Sequence, residues 1–150
     1  MGNDHYYSLI ENEEDIVSSG YTYEGAECLV LAEDVPELPT SPVYVYASEA
    51  KDNHYYTTDP KIQGELATER GYKPQNNGEP VFHVYTRPVT GETIPLYVWF
   101  ADNNHFYTVH PSGERASWED GVYKGILGHV YPKDTKPKGS IKPLYRYYKK

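Results

Sequence analysis

A mainly β domain with short helices, built from three repeated units about a pseudo-three-fold axis, is predicted by three features of the 150-residue chain. First, PLYVWFADNNHFYTVH, from Pro95 to His110, reads as a strand, a turn at Asp102, Asn103 and Asn104, and a strand running back. Second, the same phrase occurs earlier as PVYVYASEAKDNHYYTTD, from Pro42 to Asp59. Third, it occurs split across the two ends, as PLYRYYKK up to Lys150 and NDHYYSL from Asn3. A hairpin cut in this way is restored only if the C-terminal strand, 143–148, pairs with the N-terminal strand, 4–9. Repeats of this size, about 3–51, 52–102 and 103–150, are too small to stand alone, so one domain of three units is expected. Closing them into a ring would hide the strand edges, which predicts a three-bladed, propeller-like fold. A β-trefoil has the same symmetry and size and is the alternative, although its units are normally all strand.

The elements follow in order. Asp4 to Ser8 is a short strand. The acidic segment Glu11 to Ser19 reads as a short helix stopped by Gly20. Tyr21 to Tyr23 runs extended to a turn at Glu24-Gly25, and Glu27 to Ala32 is a strand too apolar for exposure on both sides. The proline-spaced linker from Val35 to Pro42 leads to the strand Val43 to Tyr46. In the second unit Asp59-Pro60 reads as an N-cap and first turn, Lys61 to Arg70 as a helix, and Gly71 as its stop. Tyr72-Lys73-Pro74, the loop Asn76 to Gly78 and the strand Val81 to Thr86 follow. A turn at Thr90 to Glu92 leads to the strand beginning at Leu96. In the third unit His105 to Thr108 precedes a helical segment, Pro111 to Asp120, with Gly121 as stop and Val122-Tyr123 after it. Gly125 to Tyr131 is its apolar strand, Lys133 to Lys138 a solvated loop, and Pro143 to Tyr148 the last strand.

Side chains two apart on a strand share a face. In the last strand of each unit one face carries Val43 and Val45, then Leu96, Val98 and Phe100, then Leu144 and Arg146. The other carries Tyr44 and Tyr46, Tyr97 and Trp99, Tyr145 and Tyr147. The first points to a core. The second is either a packing layer under the helices, the reading preferred here, or a shelf for ligand.

The net charge of -8 makes the chain a poor fit for a polyanion, so nucleic acid is not an expected partner. Apolar runs such as CLVLA and VWFA are too short for a membrane span, and no membrane insertion is expected. No signal peptide precedes them, which leaves a cytoplasmic protein or a secreted one with its leader removed. Met1-Gly2 does not start a myristoylation motif, because Tyr6 stands where Ser or Thr is needed. Cys28 is the single cysteine, so neither an internal disulfide nor a thiolate zinc cage can form. Seventeen tyrosines against three phenylalanines suit half-buried strands and also sugar- or peptide-binding surfaces.

The words HYYTTD and HFYTV, the pair Gly71-Tyr72, and the strands PLYVWF and PLYRYY resemble a tandem-repeat family of unknown function. Fungal and bacterial proteins carry this repeat, written roughly HFYTT, then GY, then PLYR. The resemblance covers nearly the whole chain. The first unit departs from it, with Ser8 for threonine and Cys28-Leu29 where the others have Phe82-His83 and Gly128-His129. Members are often secreted or joined to hydrolytic domains, which implies a binding or adhesive module, most readily for carbohydrate.

The chemistry available is limited. His5, His54 and His105 occupy one position in the three units, each after Asp4, Asn53 or Asn104. Three imidazoles near an axis could hold zinc. The preferred reading is that each fixes its own hairpin turn, with no metal and no cofactor. His83 and His129 lie on matching strands, but Leu29 breaks that set. The pairs Glu13-Glu14 and Glu119-Asp120 read as solvated faces of helices. No nucleophile elbow, phosphate loop or zinc-protease helix motif occurs, and a thiol in an apolar strand is inert. The expectation is not an enzyme but a lectin-like carbohydrate-binding protein, with an aromatic ring and hydrogen-bonding groups in each unit. The candidate residues are Asp4, His5 and Tyr7; Asn53, His54, Tyr56, Tyr97 and Trp99; and Asn104, His105 and Tyr107. Three such sites would add avidity toward a multivalent glycan. The alternative is a protein-interaction module such as a protease inhibitor, acting through the loop Val35 to Ser41 or Lys133 to Lys138. Storage or structural use without a ligand is a third reading.

Overall fold

The computed structural model describes residues 4–49, 53–89, 91–101, 104–114 and 121–150, apart from the side chain of residue 62. Asn3, Thr90, the turn residues Asp102 and Asn103, and 115–120 of the third helical segment, with Glu119 and Asp120, lie outside them.

The chain is mainly β. Its elements are β1 (Asp4–Ser8), α1 (Glu14–Ser18), β2 (Thr22–Leu31), β3 (Thr40–Ser48), β4 (Asn53–Thr57), α2 (Ile62–Glu69), β5 (Lys73–Pro74), β6 (Phe82–Tyr85), β7 (Ile94–Ala101), β8 (Asn104–Thr108), β9 (Val122–Val130) and β10 (Ile141–Lys149). Three short strands each pair with a longer one: β1 with β10, β4 with β3, β8 with β7, all antiparallel. The longer strands pair on their other side with β2, with β5 and β6, and with β9. Single backbone pairings join β2 to β6 and β6 to β9, at Leu31 with His83 and Tyr85 with His129.

The hydrogen-bonded path runs β1-β10-β2-β6-β9-β7-β8, with β3 attached at β6 and carrying β4 and β5. It forms a large antiparallel sheet that is not closed, which corrects the expected ring. The reason lies in the free edges of β1, β4 and β8. Alternate residues of an edge strand turn their amides away from the partner strand. Here side chains, not a further ladder, meet those amides.

The aliphatic face forms the core: Val43, Leu96 and Leu144 are at most 1% exposed. On the aromatic face, Tyr46 packs with Ala67 of α2 and with Tyr72, and a methyl group on Gly64 would come within 2.3 Å of the Tyr46 hydroxyl. Tyr147 is buried, and its hydroxyl accepts from the Glu13 amide at 2.8 Å and donates to the Ile10 carbonyl. Much of the aromatic face therefore underlies the helical segments.

Both helices are shorter than their acidic and periodic segments suggest. The Asp59 carbonyl accepts from the Gly64 amide, and its own amide donates to Thr57 Oγ1. Two of the three expected glycine stops, Gly20 and Gly71, end helices; the third, Gly121, follows a segment outside the described residues. Gly71 has φ +91°, Tyr72 donates its amide to Ala67, and Gly20 with Tyr21 repeats this at φ +101° toward Ile16. Only a residue free of Cβ strain turns the chain so tightly after a helix.

Candidate functional site

The edges of β1, β4 and β8 meet around three tyrosines, Tyr7, Tyr56 and Tyr107, which are 3, 2 and 1% exposed. Each hydroxyl accepts the amide and donates to the carbonyl of one neighbouring tyrosine. Tyr107 serves Tyr56, Tyr56 serves Tyr7, and Tyr7 serves Tyr107, at 2.7–3.2 Å. The rings stand edge to face, with centroids 5.2–5.4 Å apart and planes at 83–88°. Burial raises all three phenols well above the ordinary range, so they stay neutral donors.

One turn outward, Asp4, Asn53 and Asn104 play the same part toward the histidines. Asp4 accepts the His54 amide at 2.8 Å and its ring Nδ1–H at 2.6 Å. Asn53 accepts the His105 amide at 3.3 Å, and Asn104 the His5 amide at 3.3 Å. The Asn104 amide nitrogen then faces His5 Nδ1 at 2.6 Å, so that nitrogen is the acceptor. Tyr21 donates to Asp4, and Tyr72 accepts from Asn53 at 2.9 Å. The residue before each histidine thus reaches the next hairpin.

These contacts correct the placement of several candidates. Asp4, Asn53 and Asn104 are buried, as are Tyr7, Tyr56 and Tyr107, and their polar atoms are engaged in holding strand edges. A ring without an exposed face cannot stack on a sugar. The histidines do not gather. His5 lies against Phe106 and Tyr148, His54 against Tyr6 and Tyr21, and His105 against Tyr55, Tyr72 and Phe100. Burial, with Arg146 nearby, lowers the His5 pKa to about 3 and keeps the ring neutral. Among the described residues, the set of three whose ligand atoms lie within 4.8 Å of one another is Glu27, His110 and Glu114. Both of its carboxylates already bond Arg146, each at 3.0 Å.

Tyr97 and Trp99 lie on the aromatic face of β7 and share Tyr123, with centroids at 6.2 and 5.3 Å. A methyl group on Gly113 would come within 2.6 Å of the Trp99 ring, so that ring is partly covered. Among the described residues its buried Nε1–H has no partner, and neither have His83 Nδ1 and His129 Nδ1.

The open concavity lies on the other face. A cleft of about 470 Å³ separates β4 and α2 from β7 and β9. Tyr55, Tyr72, Phe100 and His105 supply its rings, and Thr58, Asp59 and Gln63 its polar groups. The Tyr55 and His105 centroids are 4.6 Å apart, and Phe100 meets His105 at 4.9 Å. Of the sequence candidates, Tyr56 and His105 line it, and the Tyr56 ring is held in the tyrosine cluster. Sequence reasoning passed over Tyr55, Tyr72 and Phe100. The available signal was strand alternation: once Tyr56 turns to the centre, Tyr55 turns away from it.

The floor explains why this cleft is open. It includes Val98 and Leu127. In the split hairpin the places of Val98 and Leu127 are taken by Arg146 and Glu27. Arg146 bonds Glu24 at 2.9 Å, Glu27 at 3.0 Å and Glu114 at 3.0 Å, and its guanidinium lies 5.0 Å from the Phe106 ring centroid. Burial raises the Glu27 pKa. For Glu114 burial acts the same way, but hydrogen bonds from Arg146 and Thr108 outweigh it and the pKa is lowered. Ion pairs therefore fill the equivalent space beside Phe106.

No helix among the described residues is long and apolar enough to cross a membrane. Comparison with protein-family models matches residues 1–131 to one described as a domain of unknown function (DUF5648). Comparison with curated proteins and with solved structures gave no match.

Proposed function

The chain belongs to that family of domains of unknown function, and from this premise we propose that it is a non-enzymatic carbohydrate-binding module with one principal site. The site is the cleft between β4–α2 and β7–β9. The observation that carries the reading is its lining: rings of Tyr55, Phe100 and His105 beside the hydroxyl, carboxylate and amide of Thr58, Asp59 and Gln63. Aromatic faces take the C–H side of a pyranose, and polar groups beside them take its hydroxyls. The volume, about 470 Å³, falls within the range of small-molecule sites.

In this proposal the architecture is three propeller-like units around the tyrosine cluster, each a hairpin plus an outer strand. The split hairpin does not repeat this cleft, because Arg146 and its carboxylates occupy the place corresponding to Val98 and Leu127. Neither the aromatic face with Tyr97 and Trp99 nor the buried Asp4, Asn53 and Asn104 belongs to the site. In the loop offered for a protein partner, Val35 packs against Leu29, Leu31, Tyr85 and Tyr131, while Pro36 to Leu38 are exposed.

The test is a glycan array with the labelled protein, with and without a chelator, followed by calorimetry on each hit. The expected result is binding insensitive to chelator, at one equivalent per chain, weakened about tenfold or more by Tyr55→Ala with folding retained. A blank array, or binding that Tyr55→Ala leaves unchanged, would refute the reading.

A further inference from the structure

The cleft has a charge character opposite to that of the chain. The molecule carries a net charge of -8, yet the cleft is lined by Arg70 and Lys124 against the single carboxylate of Asp59. The two cations come from different elements. Arg70 follows the last residue of α2, and Lys124 lies on β9 where its pairing with β7 shifts register, between Tyr123 and Gly125. Both are exposed. The ion pairs among the described residues join His54 to Asp4 and Arg146 to Glu24, Glu27 and Glu114; neither Arg70 nor Lys124 takes part. A cation at a helix C-terminus is favoured by the helix dipole alone, which accounts for Arg70. Lys124, on a strand, has no such reason to be there.

Resting on the reading of the cleft as a saccharide site, we infer that its ligand is an acidic saccharide whose carboxylate lies between Arg70 and Lys124 while its ring lies against Tyr55 and Phe100. A guanidinium offers a planar fork that matches a carboxylate, and an ammonium adds a charge that tolerates several ring positions. Leu66 and Ile126, 39 and 47% exposed, flank the cleft and give the C–H edges of the sugar an apolar wall. The acidic surface elsewhere repels the same anion, so binding is directed to this place.

The experiment compares one uronic-acid oligosaccharide, its carboxyl-reduced neutral counterpart and a sulfated oligosaccharide of equal length, by calorimetry on the full chain. The uronate is expected to bind about five- to tenfold more tightly than the reduced form at about 0.05 M salt, and to lose most of that preference at about 0.3 M. In the doubly substituted chain, Arg70→Gln with Lys124→Gln, the ratio between acidic and reduced forms is expected to fall to about one. Circular dichroism confirms that this variant folds. Equal affinity for uronate and reduced sugar in the unsubstituted chain would overturn the inference and leave the saccharide reading standing. Preference for the sulfated form over the uronate would also overturn it. Binding to none of the three, with no neutral hit on the array, would remove both.

Discussion

Replacing Tyr107 by phenylalanine removes one oxygen and leaves the ring in place. That oxygen accepts the Tyr56 amide at 2.7 Å and donates to the Tyr56 carbonyl at 3.0 Å, among residues at most 3% exposed. Two backbone groups are then left in the interior without a partner, each costing about 1–3 kcal/mol. The expected loss is about 2–5 kcal/mol, a fall in Tm of roughly 5–15 °C for a chain of this size. Tyr7→Phe and Tyr56→Phe open the same pair of groups one strand further round, so their losses should agree within about 1 kcal/mol. Tyr145→Phe, on a partly exposed face, should change stability by less than about 0.5 kcal/mol. The assay is urea unfolding followed by fluorescence, with the m-value checked for constancy. Losses below about 1 kcal/mol in all three cluster variants would refute the claim that these hydroxyls close the strand edges.

Three further outcomes are expected. His5 has a folded pKa lowered to about 3, chiefly by burial, so the unfolded chain binds the proton first as pH falls below 6.5. Stability is constant in this respect above that pH and decreases toward pH 3; His5→Gln should remove about 3 kcal/mol of the loss between pH 7 and 4, and an unchanged loss in urea titrations would contradict it. Arg146→Met strands the buried Glu27 and should cost about 3–5 kcal/mol at pH 7. The pair Arg146→Val with Glu27→Leu copies Val98 and Leu127 and should cost less than the single change, about 1–3 kcal/mol, because Glu114 and the Val109 amide still lose their partners, as thermal unfolding would show. Cys28 is 0% exposed and burial raises its thiol well above the ordinary range, so it should react with a thiol reagent only at the rate of global opening; prompt native-state labelling would contradict the core placement.

How the chain writes this structure differs from element to element. The words PLYRYY and DHYYSL are far apart in sequence, yet β10 and β1 pair from Asp4 with Lys149 to Ser8 with Tyr145. Alternation made that legible, because Leu96 and Leu144 had to face a core and Tyr147 had to leave it. The glycine stops were legible for the same kind of local reason, one conformation that other residues resist. The tyrosine cluster was not. Tyr7, Tyr56 and Tyr107 have the same composition as a sugar shelf, and only the meeting of β1, β4 and β8 turns them inward. The cleft was less legible still, since Tyr55, Tyr72, Phe100 and Lys124 come from separate elements of two hairpin units. Its openness depends on Val98 standing where the split hairpin has Arg146, a substitution whose effect appears only when Glu27 and Glu114 are brought beside it.

The account stands most directly on where a saccharide touches the chain. Backbone amide spectra of the labelled protein, recorded while a saccharide from the array is added, would locate that contact residue by residue. The account predicts shifts concentrated at Tyr55, Gln63, Arg70, Phe100, His105 and Lys124, with the amides of Tyr7, Tyr56 and Tyr107 nearly still. Shifts centred on Tyr97, Trp99 and Tyr123, or spread equally over the three hairpins, would contradict it.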